Sequence, residues 1–216
     1  MLVRSSLKID KFYKIFTMEQ LIATLHAIRR MSPALEAHLR RTIRPMFFKK
    51  GDIIHSIGEV CSHIFFIESG LIRSFYYDEK GKAITDWFMK ELDFCIAVLS
   101  FFRQQPSLET HVALEDCVCW GITWAENEAI YEEYPEFNWH GRVITREYYC
   151  RGEERRQDVK LRDPLIAYEL LITKSPELLQ RVPKYLLASY IGVSERTFDD
   201  LPGKYRDKQK LEAKRR

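Results

Sequence analysis

The residues best suited to chemistry lie near the end of this sequence. Within VPKYLLASYIGVSERTFDDL (182–201), Ser194, Arg196 and Thr197 follow a corner of small and apolar residues, and Lys204 and Arg206 come soon after. A guanidinium can donate two hydrogen bonds to a base edge, while hydroxyls and ammonium groups reach phosphates. A second group is mostly aromatic: Trp87, Phe94, Phe101, Phe102, Arg103 and His111. These residues can line a pocket for a small molecule, and aromatics of this kind equally fill cores.

Other chemistries find little support. The five cysteines, Cys61, Cys95, Cys117, Cys119 and Cys150, are odd in number and none forms a CxxC pair. No disulfide framework is therefore expected, and a reducing cytoplasm is the expected setting. Cys117 and Cys119 would share one face of a strand as small core hydrophobes. His111 and His140 have no more claim to a haem than to a place as satisfied buried histidines. His55 and His63 are eight apart, with no His-x-His pair and following carboxylate of the sort a metalloenzyme on a β-roll needs. No GxSxG, phosphate-binding loop or dinucleotide fingerprint is present. The expectation is no metal, no cofactor and no enzyme. No signal peptide is read at the start, and no apolar run approaches the ~20 residues that span a bilayer.

Composition sets the frame. In 216 residues, 46% are hydrophobic and 13% aromatic, enough for packed cores in one large or two small domains. A net charge of +3 decides nothing about nucleic acid, although the segment from Lys204 onward is predominantly basic.

Thr17, with Gln20 as its capping-box partner, is expected to start a helix carrying Leu21, Leu25 and Ile28. Ser32-Pro33 opens a second, with Leu35, Leu39 and Ile43 inward. From Met46 to Trp124 short β-rich runs alternate with glycine turns, which reads as an all-β roll. Ser69-Gly70 and Lys80-Gly81 read as hairpin connections, and Phe94–Ser107 as a helix and loop inserted between strands. A short helix over Glu126–Tyr131 follows. A long one then runs from Phe137 to Leu161, with a thin stripe of Val143, Ile144, Tyr148, Val159 and Leu161 suited to a paired seam.

Asp163-Pro164 starts another helix, with Leu165, Tyr168 and Leu171 inward. Within 182–201, Ala188 permits a close crossing, Gly192 permits a sharp turn and Ser194 caps the next helix. That pattern favours a helix-turn-helix over a generic helical corner. Pro202-Gly203 is expected to stop the second helix after about two turns, since proline cannot donate to the carbonyl of Phe198. No β-hairpin pattern follows, so the wing of a winged helix is expected to be missing.

On FKKGDIIHSIGEVCSHIFFIESGLIRSFYYDEKGKAITDWF, EFNWHGRVITREYYCRGEER and ELLQRVPKYLLASYIGVSERTF, the sequence resembles Crp/Fnr transcription regulators, from about Arg44 to Phe198. The resemblance implies an α+β protein in three parts. Residues 1–135 form N-terminal helices and a cyclic-nucleotide-binding-like sensor, a jelly roll or double-stranded β-helix. Residues 136–162 form a dimerisation helix, and residues 163–216 a DNA-binding domain. It further implies a homodimer on double-stranded DNA with a small-molecule effector between roll and helix, and no membrane.

The sequence departs from that pattern where cyclic nucleotides are held. Phe94-Cys95-Ile96 replaces the Phe-Gly-Glu opening, and Ser107-Leu108 replaces the Arg-Ser pair with Glu109 adjacent, so an effector other than cyclic AMP is expected. No cysteine precedes Cys61 to hold an N-terminal iron–sulfur cluster. Asp199 and Asp200 lie among the groove-facing positions of the second helix and would oppose phosphates. The alternative is therefore a small-molecule-binding roll whose DNA reader no longer functions.

Overall fold

The computed structural model describes residues 18–160 and 163–214. They divide into two compact units, one reaching to Ser74 and resuming over Phe88–Ile144, the other comprising Phe75–Trp87 and the described residues from Thr145 onward.

The first unit opens with α1 (Glu19–Ile28) and α2 (Pro33–Thr42). Ser32 caps α2 by accepting from the Leu35 amide, with Pro33 at the first helical position, where no amide is needed. The start of α1 departs from expectation. Thr17 lies outside the described residues, the residue before the helix is Met18, and no side chain caps it. Met18, Leu21, Ile22 and Leu25 are all buried in one core, which anchors this end of the helix.

The strands are β1 (Arg44–Phe48), β2 (Ile53–His55), β3 (His63–Ser69), β4 (Ile72–Tyr77), β5 (Ala83–Met89), β6 (Phe94–Cys95), β7 (Thr110–Ala113) and β8 (Cys117–Thr123), with helix α3 (Val98–Arg103) between β6 and β7. They form two four-stranded sheets, β1-β8-β3-β6 and β2-β7-β4-β5. β1 and β3 each pair antiparallel with β8. All residues of β8 but Thr123 are buried, so Cys117 and Cys119 are core residues. Burial pushes the Cys117 thiol up to about 11 and the Cys119 thiol higher still.

Lys80-Gly81 closes a hairpin between neighbouring strands, with Asp78 N–H donating to Lys82 C=O at 3.0 Å. Ser69-Gly70 does not close one. β3 and β4 lie in different sheets, so this turn is the corner that carries the chain from one to the other. Gly70 takes φ +105°, and a Cβ there would meet the Cys117 Sγ at 2.5 Å and the Asp116 carbonyl at 2.8 Å. Gly70→Ala is therefore expected to lower stability by more than about 1 kcal/mol, from the backbone conformation alone, with the clash added. Urea unfolding measures it, and an unchanged midpoint would show that the corner is not needed.

A core on the first sheet joins Leu35, Leu39, Phe66, Trp120 and Ile122 with residues of α4 (Trp124–Glu133) and the start of α5 (Phe137–Lys160). α4 begins two residues before the expected Glu126, because Thr123 and Glu126 form a capping box at its start. α5 is the long helix of the sequence reading. Ile144 packs on this core, Tyr149 and Cys150 are exposed, and Leu161 lies outside the described residues. Among the described residues no helix is long and apolar enough to cross a membrane.

The second unit contains α6 (Pro164–Lys174), α7 (Leu178–Arg181), α8 (Lys184–Tyr190) and α9 (Glu195–Ala213). Asp163 caps α6, accepting from the Leu165 and Ile166 amides. Tyr168, Leu171, Leu186, Leu187, Ala188, Phe198 and Leu201 are buried. Pro202 does not end α9, which continues through it to Ala213. The helix is held on both sides of the proline by side chains on α6: the Phe198 and Tyr205 rings lie 5.7 and 6.1 Å from the Tyr168 ring, and Lys208 pairs with Glu169 at 2.6 Å. These contacts act against a penalty of ~3 kcal/mol for proline within a helix.

Candidate functional site

The turn between α8 and α9 follows from its backbone chemistry. Val193 N–H reaches the Ala188 carbonyl at 2.9 Å, and Gly192 N–H reaches the Ser189 carbonyl at 3.2 Å. This is a Schellman closure with Gly192 in the left-handed conformation, φ +76°. Ser194, extended, then caps α9 by accepting from the Thr197 amide at 3.1 Å, with Glu195 in the first turn. The second helix thus leaves the first within a few residues.

Burying Phe198 and Leu201 turns the opposite side of α9 outward. Arg196, Lys204 and Arg206 are exposed and make no ion pair among the described residues. Ser194 and Thr197 are differently placed. Their hydroxyls lie 2.8 Å apart, and Ser194 is committed to the cap. Asp199 pairs with Lys184 of α8 at 2.7 Å, so its charge is partly offset. Asp200 is exposed. Ser194→Ala should cost about 1 kcal/mol in unfolding experiments through loss of the cap. A cost near zero would leave the hydroxyl available for another role.

The six residues read as effector-lining do not share one environment. Phe94 packs with Phe66 at 5.3 Å between ring centres, and Phe101 is wholly buried with Cys61 and Ala97. Phe102 and Arg103 are exposed. Trp87 belongs to the second unit, where the Arg151 guanidinium lies 5.5 Å over its ring.

His111 is 1% exposed and stands in a polar cluster that the sequence did not reveal. Its Nε2 is 3.2 Å from Glu109 Oε2, and its Nδ1 is 3.3 Å from the Cys95 Sγ. Ser74 donates to the same Glu109 oxygen. His55 lies opposite His111 in the β2–β7 register, with ring centres 5.8 Å apart. Burial acts against the Glu109 carboxylate, but hydrogen bonding and charge from His111, with the Ser74 bond, hold its pKa below the usual range. Burial pushes the Cys95 thiol well up and holds His55 below the usual imidazole range. His140, also buried, meets the Arg29 carbonyl at 2.9 Å through its Nε2, while its Nδ1 is buried without a hydrogen-bond partner among the described residues. No group of three or more His, Cys, Asp or Glu among the described residues has the arrangement of a metal site.

The two antiparallel sheets with their inserted helix form a β-roll, and residues 45–134 match the cyclic nucleotide-binding domain family. Solved structures extend the likeness across most of the chain. A protein assigned to the Crp/Fnr family of transcriptional regulators from Eubacterium rectale aligns with TM-score 0.66 at 14% identity, over 82% of this chain and 85% of that one. The c-di-GMP-responsive global regulator CLP of Xanthomonas campestris aligns with TM-score 0.65 at 11% identity, over 82% and 93%. FixK2 of Bradyrhizobium japonicum aligns with TM-score 0.63 at 13% identity, over 78% and 86%. At these identities the likeness is one of fold. No curated protein sequence matches the chain.

Proposed function

We propose that this protein is a DNA-binding transcription regulator of Crp/Fnr type, acting as a homodimer and not as an enzyme. The observation that carries the reading is the α8–α9 corner. Read as a helix-turn-helix, it exposes Arg196 at the start of its second helix, and it follows a cyclic-nucleotide-binding-type roll and a long helix. Arg196 reads a base edge. Lys204 and Arg206, on flanking sides of the exposed surface of α9, contact phosphates. Ser194 caps the start of α9, and Ser194 and Thr197 contact the DNA backbone. α5 supplies the dimer seam and places two such helices about one DNA turn, ~34 Å, apart.

The effector is not cyclic AMP on this reading. Glu109, held ionised beside His111, stands next to the place where an arginine would grip a phosphate, and Cys95 stands where a glycine would let backbone amides approach one. A roll that binds ligand beside a non-functional reader is favoured by one observation, the exposed Asp200 on α9.

Fluorescence anisotropy with pooled genomic duplexes at 50 and 200 mM salt separates the two. The regulator binds saturably, and affinity falls steeply as salt rises, because each neutralised phosphate releases counterions. A folded dimer that binds no duplex at 50 mM would overturn the regulator reading in favour of the alternative.

A further inference from the structure

The His55–His111 pair has a property that a merely well-packed core would avoid. His55 is 8% exposed, and its Nε2 is buried without a hydrogen-bond partner. Its cross-strand neighbour is a second buried imidazole, and Glu109 is already engaged by His111 and Ser74. The charges that act on His55 are His111, which opposes a proton there, and Glu109 and Glu59, which favour one. The facing β6 strand offers the Cys95 thiol, bonded to His111. On β4 the residue that meets the cluster is Ser74, bonded to Glu109, and its neighbour Arg73, buried and itself engaged, belongs to the other face of the strand.

A proton added to His55 therefore meets burial, a neighbouring imidazole and no acceptor. The protein can relieve this most readily at β2. That strand has three residues, lies at the edge of its sheet and has two register pairs with β7 and an irregularity between them, with bonds between Asp52 and Ala113 and between Ile57 and Thr110 on either side. We propose that the His55–His111 pair is a proton-binding site of the roll, and that protonation of His55 releases the edge strand β2, so that the sensor responds to acidification without a small molecule. The proposal stands whether or not the chain reads DNA.

The direction in pH follows from burial. The unfolded chain takes up the His55 proton near pH 6.5, and the folded chain only at lower pH. The contribution of neutral His55 is complete above about pH 6.5 and falls as the pH drops toward its folded value. His63, also held low by burial, contributes in the same window and must be controlled. Glu109 acts only below about pH 4.5, where its own contribution is lost.

Two measurements test the proposal. NMR of the wild type follows the imidazole carbon-bound protons of His55 from pH 8 to 5, with amide exchange of β2 corrected for intrinsic rates. His55 is expected to titrate below the free-histidine value, and the Ile54 and His55 amides to exchange about tenfold faster at pH 5.5 than at pH 7, while β8 is unchanged. Thermal unfolding of wild type, His55→Gln and His63→Gln between pH 7 and 5.5 then assigns the linkage. The drop in Tm is expected to shrink by half or more in His55→Gln, and by less in His63→Gln. A His55 titration at the free value, or β2 exchange that does not respond to pH, overturns the proposal. So does an unchanged Tm slope in a folded His55→Gln. Should His55→Gln fail to fold, the wild-type titration and exchange decide the matter alone.

Discussion

Phe198→Ala is expected to destabilise the second unit by about 3–5 kcal/mol. The ring is 3% exposed and meets the Tyr168 ring edge-on, at 5.7 Å between centres. Its removal takes away transfer energy and leaves a cavity between α6 and α9. The loss should go beyond stability. The Ala188 carbonyl is taken up in the Schellman turn, but the angle of α9 depends on apolar residues beneath it, and Phe198 with Leu201 forms that base. Urea unfolding followed by circular dichroism gives the cost, and tryptophan fluorescence can separate the units if they unfold apart. A cost below about 1 kcal/mol would mean that α9 does not dock through Phe198.

Arg196→Ala is expected to lower affinity for the preferred duplex by about 1–3 kcal/mol, roughly 5- to 150-fold, and to erase preference at one base-pair position. Arg196 is exposed at the start of α9 with no ion-pair partner among the described residues, so its truncation should leave stability within about 0.5 kcal/mol. Lys204→Ala and Arg206→Ala should differ in kind. Each is expected to weaken binding to all sequences alike and reduce the salt slope by about one. Competition binding against a randomised duplex pool distinguishes the outcomes. If Arg196→Ala weakens every sequence equally, then the residue contacts phosphate and base reading lies elsewhere on α9.

Lys184→Ala offers a milder check on the same surface. It leaves Asp199 without its partner at 2.7 Å and returns a full negative charge to the outer side of α9. On the DNA-binding reading, affinity falls by a small factor that grows as salt is lowered. The pair is exposed, so its effect on stability should be slight.

What could be read from the sequence was local. Gly192, Ser194 and the Asp163-Pro164 and Ser32-Pro33 pairs act through backbone bonds spanning two to five residues, so their chemistry is complete within a short stretch. Alternation and glycine spacing showed a roll for the same reason, since strand faces repeat every two residues. What the sequence left open was decided by partners far along the chain. Ser69-Gly70 announces a reversal, but only the placement of β3 and β4 in different sheets makes it a corner. Pro202 carries the local signal of a helix end, yet Tyr168 and Glu169, more than thirty residues earlier, hold α9 together across it. His55 and His111 are fifty-six residues apart and become neighbours only because β2 pairs with β7. Burial then converts two ordinary imidazoles and a carboxylate into a coupled cluster, because the energy of a charge depends on the groups and solvent around it and not on its place in the sequence.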